Sequence, residues 1–224
     1  MTTYRLRLCE DRVSAGAEYL TIPAEVNCVL YVVSGEIMIQ RDAAASTAEK
    51  EKAVFAGGPC KVQAVANDSR VLRFELLKEP EGAEATIDAS AVDESRLLLE
   101  NEISLDQNAD YLIRCDRVDF DLGSEALPHG HRGGGIRWLA AGELKVKQGD
   151  GKFHPMQVGD PWFEDGKIPV HAVASTEVLT AFIRVSIQPR EIMGKNSIMY
   201  VNPEDAKRSK PRTYTVFVDE PIEI

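Results

Sequence analysis

The sequence predicts an all-β protein of two tandem antiparallel β-barrels, each a double-stranded β-helix or jelly roll. Three observations lead there: an internal repeat, regularly spaced short strands, and weak helical periodicity throughout. Sliding the chain so that Tyr4 meets Tyr111 also sets Gly16 on Gly123, Glu18 on Glu125 and Gly35-Glu36 on Gly142-Glu143, without a gap. One residue of drift further on sets Phe55 on Phe163 and Gly58 on Gly166, with Ala-Val-Ala runs superposed. Glycines and apolar positions share one frame, so the chain reads as a duplication.

Within each copy the apolar runs VLYVVSG, VLRFELL, GIRWLAAG, ELKVKQ and VLTAFIRVSI are β-branched and short, and glycine-bearing turns such as QGDG and EDGK separate them. The segment AVDESRLLLENEI reads equally as helix or strand. The expected organisation is a first barrel over residues 1–80, a connector over 81–108, a second barrel over 109–188 and a C-terminal arm over 189–224. The connector carries an acidic, Pro/Gly/Ala-rich composition. In the arm, TYTVFV alternates like a strand, which must pair on a barrel of this chain or on a second subunit, so a homodimer is possible. KRSKPR reads as a solvated basic loop.

A net charge of −10 over 224 residues disfavours nucleic acid and anionic lipid as partners. No apolar run is long enough for a transmembrane helix, and MTTYRLRLCEDRV lacks the apolar core of a signal peptide, which points to the cytoplasm. Cys9, Cys28, Cys60 and Cys115 have no metal or redox spacing and read as reduced core thiols.

The chemistry concentrates in PHGHRGGGIRWLAAGEL, Pro128 to Leu144, with KIPVHAVAS further on. At i and i+2 of a strand, His129 and His131 share a face. His171, on a later strand, can join them, and three imidazoles would hold Fe(II), Zn, Mn, Ni or Cu. In the first copy Ile22, Ala24 and Gln63 stand at the three histidine positions, so that half holds no metal and is structural or a dimerisation module.

These two stretches resemble the two motifs of the cupin superfamily, the first around Pro128–Leu144 and the second from Gly159 to Ser175. With the repeat, the resemblance extends over most of residues 4–186 and implies a bicupin. Most such cupins carry a glutamate where this chain has Gly135, so the resemblance implies three neutral histidines, His129, His131 and His171, without a carboxylate. Three-histidine cupins include thiol and diketone dioxygenases, which implies Fe(II) oxygen chemistry on a small anionic metabolite. The alternatives are a non-redox isomerase, lyase or decarboxylase using the metal as Lewis acid, and a non-catalytic metal or ligand binder.

Around the site, Arg137 is the catalytic candidate. It either anchors a substrate carboxylate bidentately or pairs with a structural acid such as Glu125 or Asp119. The Gly133-Gly134-Gly135 run either admits substrate to the backbone or turns the strand. Trp138 and Trp162 read as core or rim aromatics, and His154 as an exposed loop histidine. Glu164 and Asp165 are read as turn acids facing water, with a fourth ligand or a proton shuttle as the sharper alternative.

Overall fold

The computed structural model describes every residue except 17, 43, 80, 81, 209 and 210. Among the described residues the chain forms strands and two short 3₁₀ turns, with no α-helix. It divides into two compact units, the first Met1–Ala109 with Ile222–Ile224 and the second Asp110–Pro221.

The first unit holds ten strands: β1 (Thr2–Val13), β2 (Glu18–Ile22), β3 (Asn27–Ser34), β4 (Glu36–Arg41), β5 (Ala44–Glu49), β6 (Ala53–Phe55), β7 (Cys60–Ala64), β8 (Ser69–Lys78), β9 (Thr86–Ile87) and β10 (Glu94–Leu105). They form two sheets, ordered β10-β1-β8-β3-β6 and β5-β4-β7-β2-β9, and the ladders with recorded registers are antiparallel. The arrangement 1-8-3-6 against 2-7-4-5 is that of a jelly roll. Each pair of sheets stays two separate ladders, so the expected closed barrels are corrected to paired open sheets.

The second unit repeats this order with β11 (Tyr111–Phe120), β12 (Glu125–His131), β13 (Gly135–Ala141), β14 (Leu144–Gln148), β15 (His154–Met156), β16 (Pro161–Glu164), β17 (Val170–Ala174), β18 (Thr180–Pro189), β19 (Ile198–Tyr200) and β20 (Arg212–Ile222). Its sheets run β16-β13-β18-β11-β20 and β15-β14-β17-β12-β19. The expected connector and arm therefore play matching parts. β9 and β10 flank β2 and β1 as β19 and β20 flank β12 and β11. The ambiguous AVDESRLLLENEI stretch is strand from Glu94 onward, paired with β1 from Thr2↔Leu105 to Arg12↔Glu94. An amphipathic strand with a free edge neighbour satisfies its backbone groups by joining the ladder.

Alternation supplies each core. In the first unit Val13, Leu20, Ile22, Leu30, Val32, Ile37, Ile39, Val62 and Val71 fill the space between the sheets. Fully burying each such side chain contributes about 1.5–3 kcal/mol. In the second unit Val118, Phe120, Ala126, Leu139, Leu144, Val146, Val170, Ala172 and Ala174 do the same, and Trp162 and Phe182 pack there edge to face at 5.4 Å. A group of buried polar side chains in the second unit makes the candidate site.

Candidate functional site

A β-bulge on β12 aims the two histidines. Ala126 opposes Ala172 on β17, whereas His129 opposes Val170, so β12 carries one extra residue at Leu127-Pro128. Simple alternation from the core residue Ala126 would turn Pro128 and Gly130 inward. The extra residue reverses the parity, and His129 and His131 face the interior instead. Proline suits this place because it needs no ladder partner for its nitrogen. The imidazoles lie 4.8 Å apart, edge to face, and both are buried. The Nδ1 of His129 sits 2.6 Å from the Leu127 carbonyl oxygen, a donor contact that leaves its Nε2 as the lone-pair nitrogen.

His171 is elsewhere. On β17 the inward residues are Val170, Ala172 and Ala174, so His171 stands on the opposite face. There its Nε2 meets Glu125 Oε1, and its ring packs on Phe153 at 5.1 Å. The register explains the difference from the expected triad. Cys60 opposes Ile22 as Val170 opposes His129, so Lys61, not Gln63, is the counterpart of His171. His171 follows the inward Val170 by one residue, and one residue along a strand puts a side chain on the other face. The structure brings His129 and His131 together and leaves His171 outside.

The third polar group of the interior is Glu164. Strand β16, not a turn, places Trp162 and Glu164 on one inward face, and the indole Nε1 donates to Glu164 Oε1 at 2.8 Å. Arg137, opposite Trp162 on β13, sets its Nη2 2.7 Å from Glu164 Oε2. The same oxygen lies 3.4 Å from His131 Nε2. Arg137 therefore pairs with an acid other than Glu125 or Asp119, and its Nη1 donates to the Gly135 carbonyl at 2.6 Å. Across the sheet it faces Arg184, which is bound to Asp116 through both guanidinium and both carboxylate ends. Two neighbouring cations, each held by its own anion, thus line one buried wall.

Burial sets the protonation states. It drives His131 down to about 3 and lowers His129, so both imidazoles are neutral near pH 7. Burial also lowers Arg137, to about 10, which leaves it charged. For Glu164 burial acts upward, but Arg137 and His131 overcome it and hold the carboxyl well below the usual range.

The remaining expected residues fall into place. Asp165 accepts from the Lys167 and Ile168 amides at 2.7 and 2.8 Å, and so shapes a turn. His154 is exposed, while Trp138 and Trp162 are buried. A Cβ at Gly135 would lie 2.4 Å from the Val185 carbonyl oxygen and 2.7 Å from the Ser186 Cα. Backbone approach thus excludes any side chain there, the glutamate of the resembled motif included. Ile22 and Leu30, the first-unit counterparts of His129 and Arg137, are core residues, and Ala24 is exposed. Gln63, set against His171 in the sequence frame, is half-buried.

As donors for a divalent ion, His129 Nε2, His131 Nε2 and Glu164 Oε2 have suitable chemistry: two neutral imidazoles and one ionised carboxylate. The Leu127 contact on His129 and the Ser197 Oγ at 3.4 Å from His131 Nδ1 resemble the outer hydrogen bonds that orient metal-bound histidines. Among the described residues, however, no three such groups converge closely enough to hold an ion in this arrangement. Glu164 is engaged by Arg137 instead. The cavity they line measures about 30 Å³, room for one or two waters.

No family model and no curated protein matches the chain by sequence. Solved structures do match in fold. An oxalate decarboxylase from Lactobacillus farciminis, in a formate complex, is 11% identical with a TM-score of 0.66, over 92% of this chain and 82% of that one. Vicilin from Corylus avellana (hazelnut) is 13% identical with a TM-score of 0.56, over 91% and 82%. A cupin 2 conserved barrel domain protein from Leptotrichia buccalis is 15% identical with a TM-score of 0.50, over 84% of each chain. At these identities the likeness is one of fold, and the fold is that of cupin proteins. Among the described residues, no helix is long and apolar enough to cross a membrane.

Proposed function

We propose that the chain is a two-unit cupin protein whose second unit binds a divalent metal and acts on a small anionic metabolite. The carrying observation is the His129–His131 pair, turned inward by a bulge, neutral, and oriented by the Leu127 carbonyl. Glu164 replaces His171 as the third donor in this reading. Two imidazoles and a carboxylate with open positions suit Fe(II) oxygenases, which keeps the dioxygenase reading with a different donor set. A bound divalent ion would supply Lewis-acid polarisation or, if iron, oxygen chemistry. The protein's own groups do the rest. Arg137 holds the Glu164 carboxylate ionised and inward, Trp162 fixes its other oxygen, and the apolar lining excludes bulk water.

A second reading, non-redox Lewis-acid chemistry such as a lyase or decarboxylase, is favoured by the fold shared with solved oxalate decarboxylases. Oxygen consumption separates the two. The protein is reconstituted anaerobically with Fe(II), Mn(II) or Zn(II), then followed with an oxygen electrode on a panel of thiol, diketone and carboxylate substrates. Uptake on iron alone supports the dioxygenase. Turnover on manganese or zinc without uptake supports the second reading, and metal binding without turnover on any substrate leaves a binding protein. Cytoplasmic location and a homodimer belong to the same proposal.

A further inference from the structure

The interior cavity is too small for a metabolite. At about 30 Å³ it takes an ion or a water and the atoms bound to it, while small-molecule sites span about 300–1,000 Å³. Beside it lies a recess of about 350 Å³, lined by Arg114, Asp116, Arg184, Ser197, Tyr214 and Val216 together with the turn at Gly194-Lys195-Asn196. Arg184, which Asp116 holds, and Tyr214 line both spaces. Ser197 in the recess reaches His131 Nδ1 at 3.4 Å, which ties the recess to the imidazole pair.

The recess has a chemical bias. Arg114 is neutralised by Asp219 (2.8 and 3.1 Å) and Arg184 by Asp116. Lys195 remains: its ammonium donates to the Glu191 backbone carbonyl, a neutral partner, so the rim carries one unbalanced positive charge. The tyrosyl ring of Tyr214 and the side chain of Val216, 53% exposed, give the recess an apolar surface as well. A second recess of about 300 Å³, lined by Lys152, His154 and Met156 among others, shares only Trp162 with the interior.

We propose that the recess bounded by Arg184, Lys195, Ser197, Tyr214 and Val216 docks the body of an amphipathic carboxylate, with Tyr214 gating its passage to His129 and His131. The assignment of the reacting end rests on the metal-enzyme reading above; the docking site itself does not. An apolar body lies against Tyr214 and Val216, the carboxylate pairs with Lys195, and a turn of the Tyr214 ring joins the two spaces.

Benzoate is the probe, titrated against the full chain by ligand-observed NMR, with benzyl alcohol as its neutral counterpart. Wild type is expected to bind benzoate about tenfold more tightly than benzyl alcohol. Val216→Trp, which fills the recess, is expected to weaken benzoate about tenfold, and Lys195→Glu to weaken it comparably. Lys152→Glu, in the other recess, leaves it unchanged. Absence of benzoate binding, equal binding of the alcohol, or loss only in Lys152→Glu would overturn the proposal. Where Val216→Trp does not fold, Lys195→Glu decides. Metal content is measured on the same samples. Benzoate binding as described in a protein that takes up no metal retains the recess and discards the metal reading; the reverse outcome does the opposite.

Discussion

Arg137 Nη2 lies 2.7 Å from Glu164 Oε2 inside the second unit, and both side chains are almost wholly removed from solvent. A charge pair so placed costs desolvation on both sides, and its removal is asymmetric. Taking away one partner strands the other charge, which costs about 3–5 kcal/mol, whereas replacing both with apolar groups is close to neutral. Arg137→Met is therefore expected to lower the urea midpoint strongly, and Arg137→Met with Glu164→Leu to recover most of it. A loss in the double variant equal to the sum of the Arg137→Met and Glu164→Leu losses would show that the pair is not coupled.

Gly135 tests the backbone approach of β13 and β18. Its Cβ would overlap main-chain atoms of Val185 and Ser186, which cannot rotate away. Gly135→Ala is expected to cost about 1–3 kcal/mol through forced strand separation. A thermal midpoint equal to wild type would mean that the strands yield freely.

Acid stability of the first unit is expected to depend on Glu10. Burial acts to raise its pKa, but hydrogen bonds from Arg70 and Arg96 outweigh it and lower the folded value below 4.5. A depressed folded pKa contributes stability above the unfolded value, and that contribution is lost as pH falls through the folded one. The stability advantage of wild type over Glu10→Gln should thus be constant near neutral pH and shrink below about pH 4.5. An advantage that grows on acidification would contradict the assigned direction.

All four cysteines are free and buried, and burial raises the thiol pKa well above its ordinary value at Cys28 and Cys115. Thiolate is the reactive form, so native protein at pH 8 should react negligibly with a disulfide reagent at these two positions. Unfolded protein should release the full four equivalents. Rapid native labelling of Cys28 or Cys115 would refute this packing.

Much of this was legible in the residues. The glycine frame of the repeat, Tyr4 on Tyr111 and Gly35 on Gly142, marks matching strands, and the β-branched runs mark their type. His129 and His131 share an inward face, as their spacing implies. What misled was parity: alternation cannot show the extra residue at Leu127-Pro128, nor that Val170 rather than His171 turns inward. Glu164 was hidden because EDGK reads as a turn, although PWFE before it alternates toward the core as a strand would. Arg184 carried a readable signal. Arg73 opposes Leu30 as Arg184 opposes Arg137, so the repeat keeps an arginine at one ladder position and ties it to a carboxylate on the neighbouring strand, Asp11 or Asp116. β9 and β10 were not legible as a match to β19 and β20, because edge strands share position without sharing sequence.

Metal content across four variants bears on the whole account. Untagged wild type and the variants His129→Ala, His131→Ala, Glu164→Gln and His171→Ala are reconstituted anaerobically with Fe(II), desalted and measured by elemental analysis. The expected result is about one equivalent in wild type and in His171→Ala, with less than about a tenth in His129→Ala and His131→Ala and a reduced content in Glu164→Gln. Loss of metal in His171→Ala, or a wild type that takes up none, would contradict a centre built on His129, His131 and Glu164.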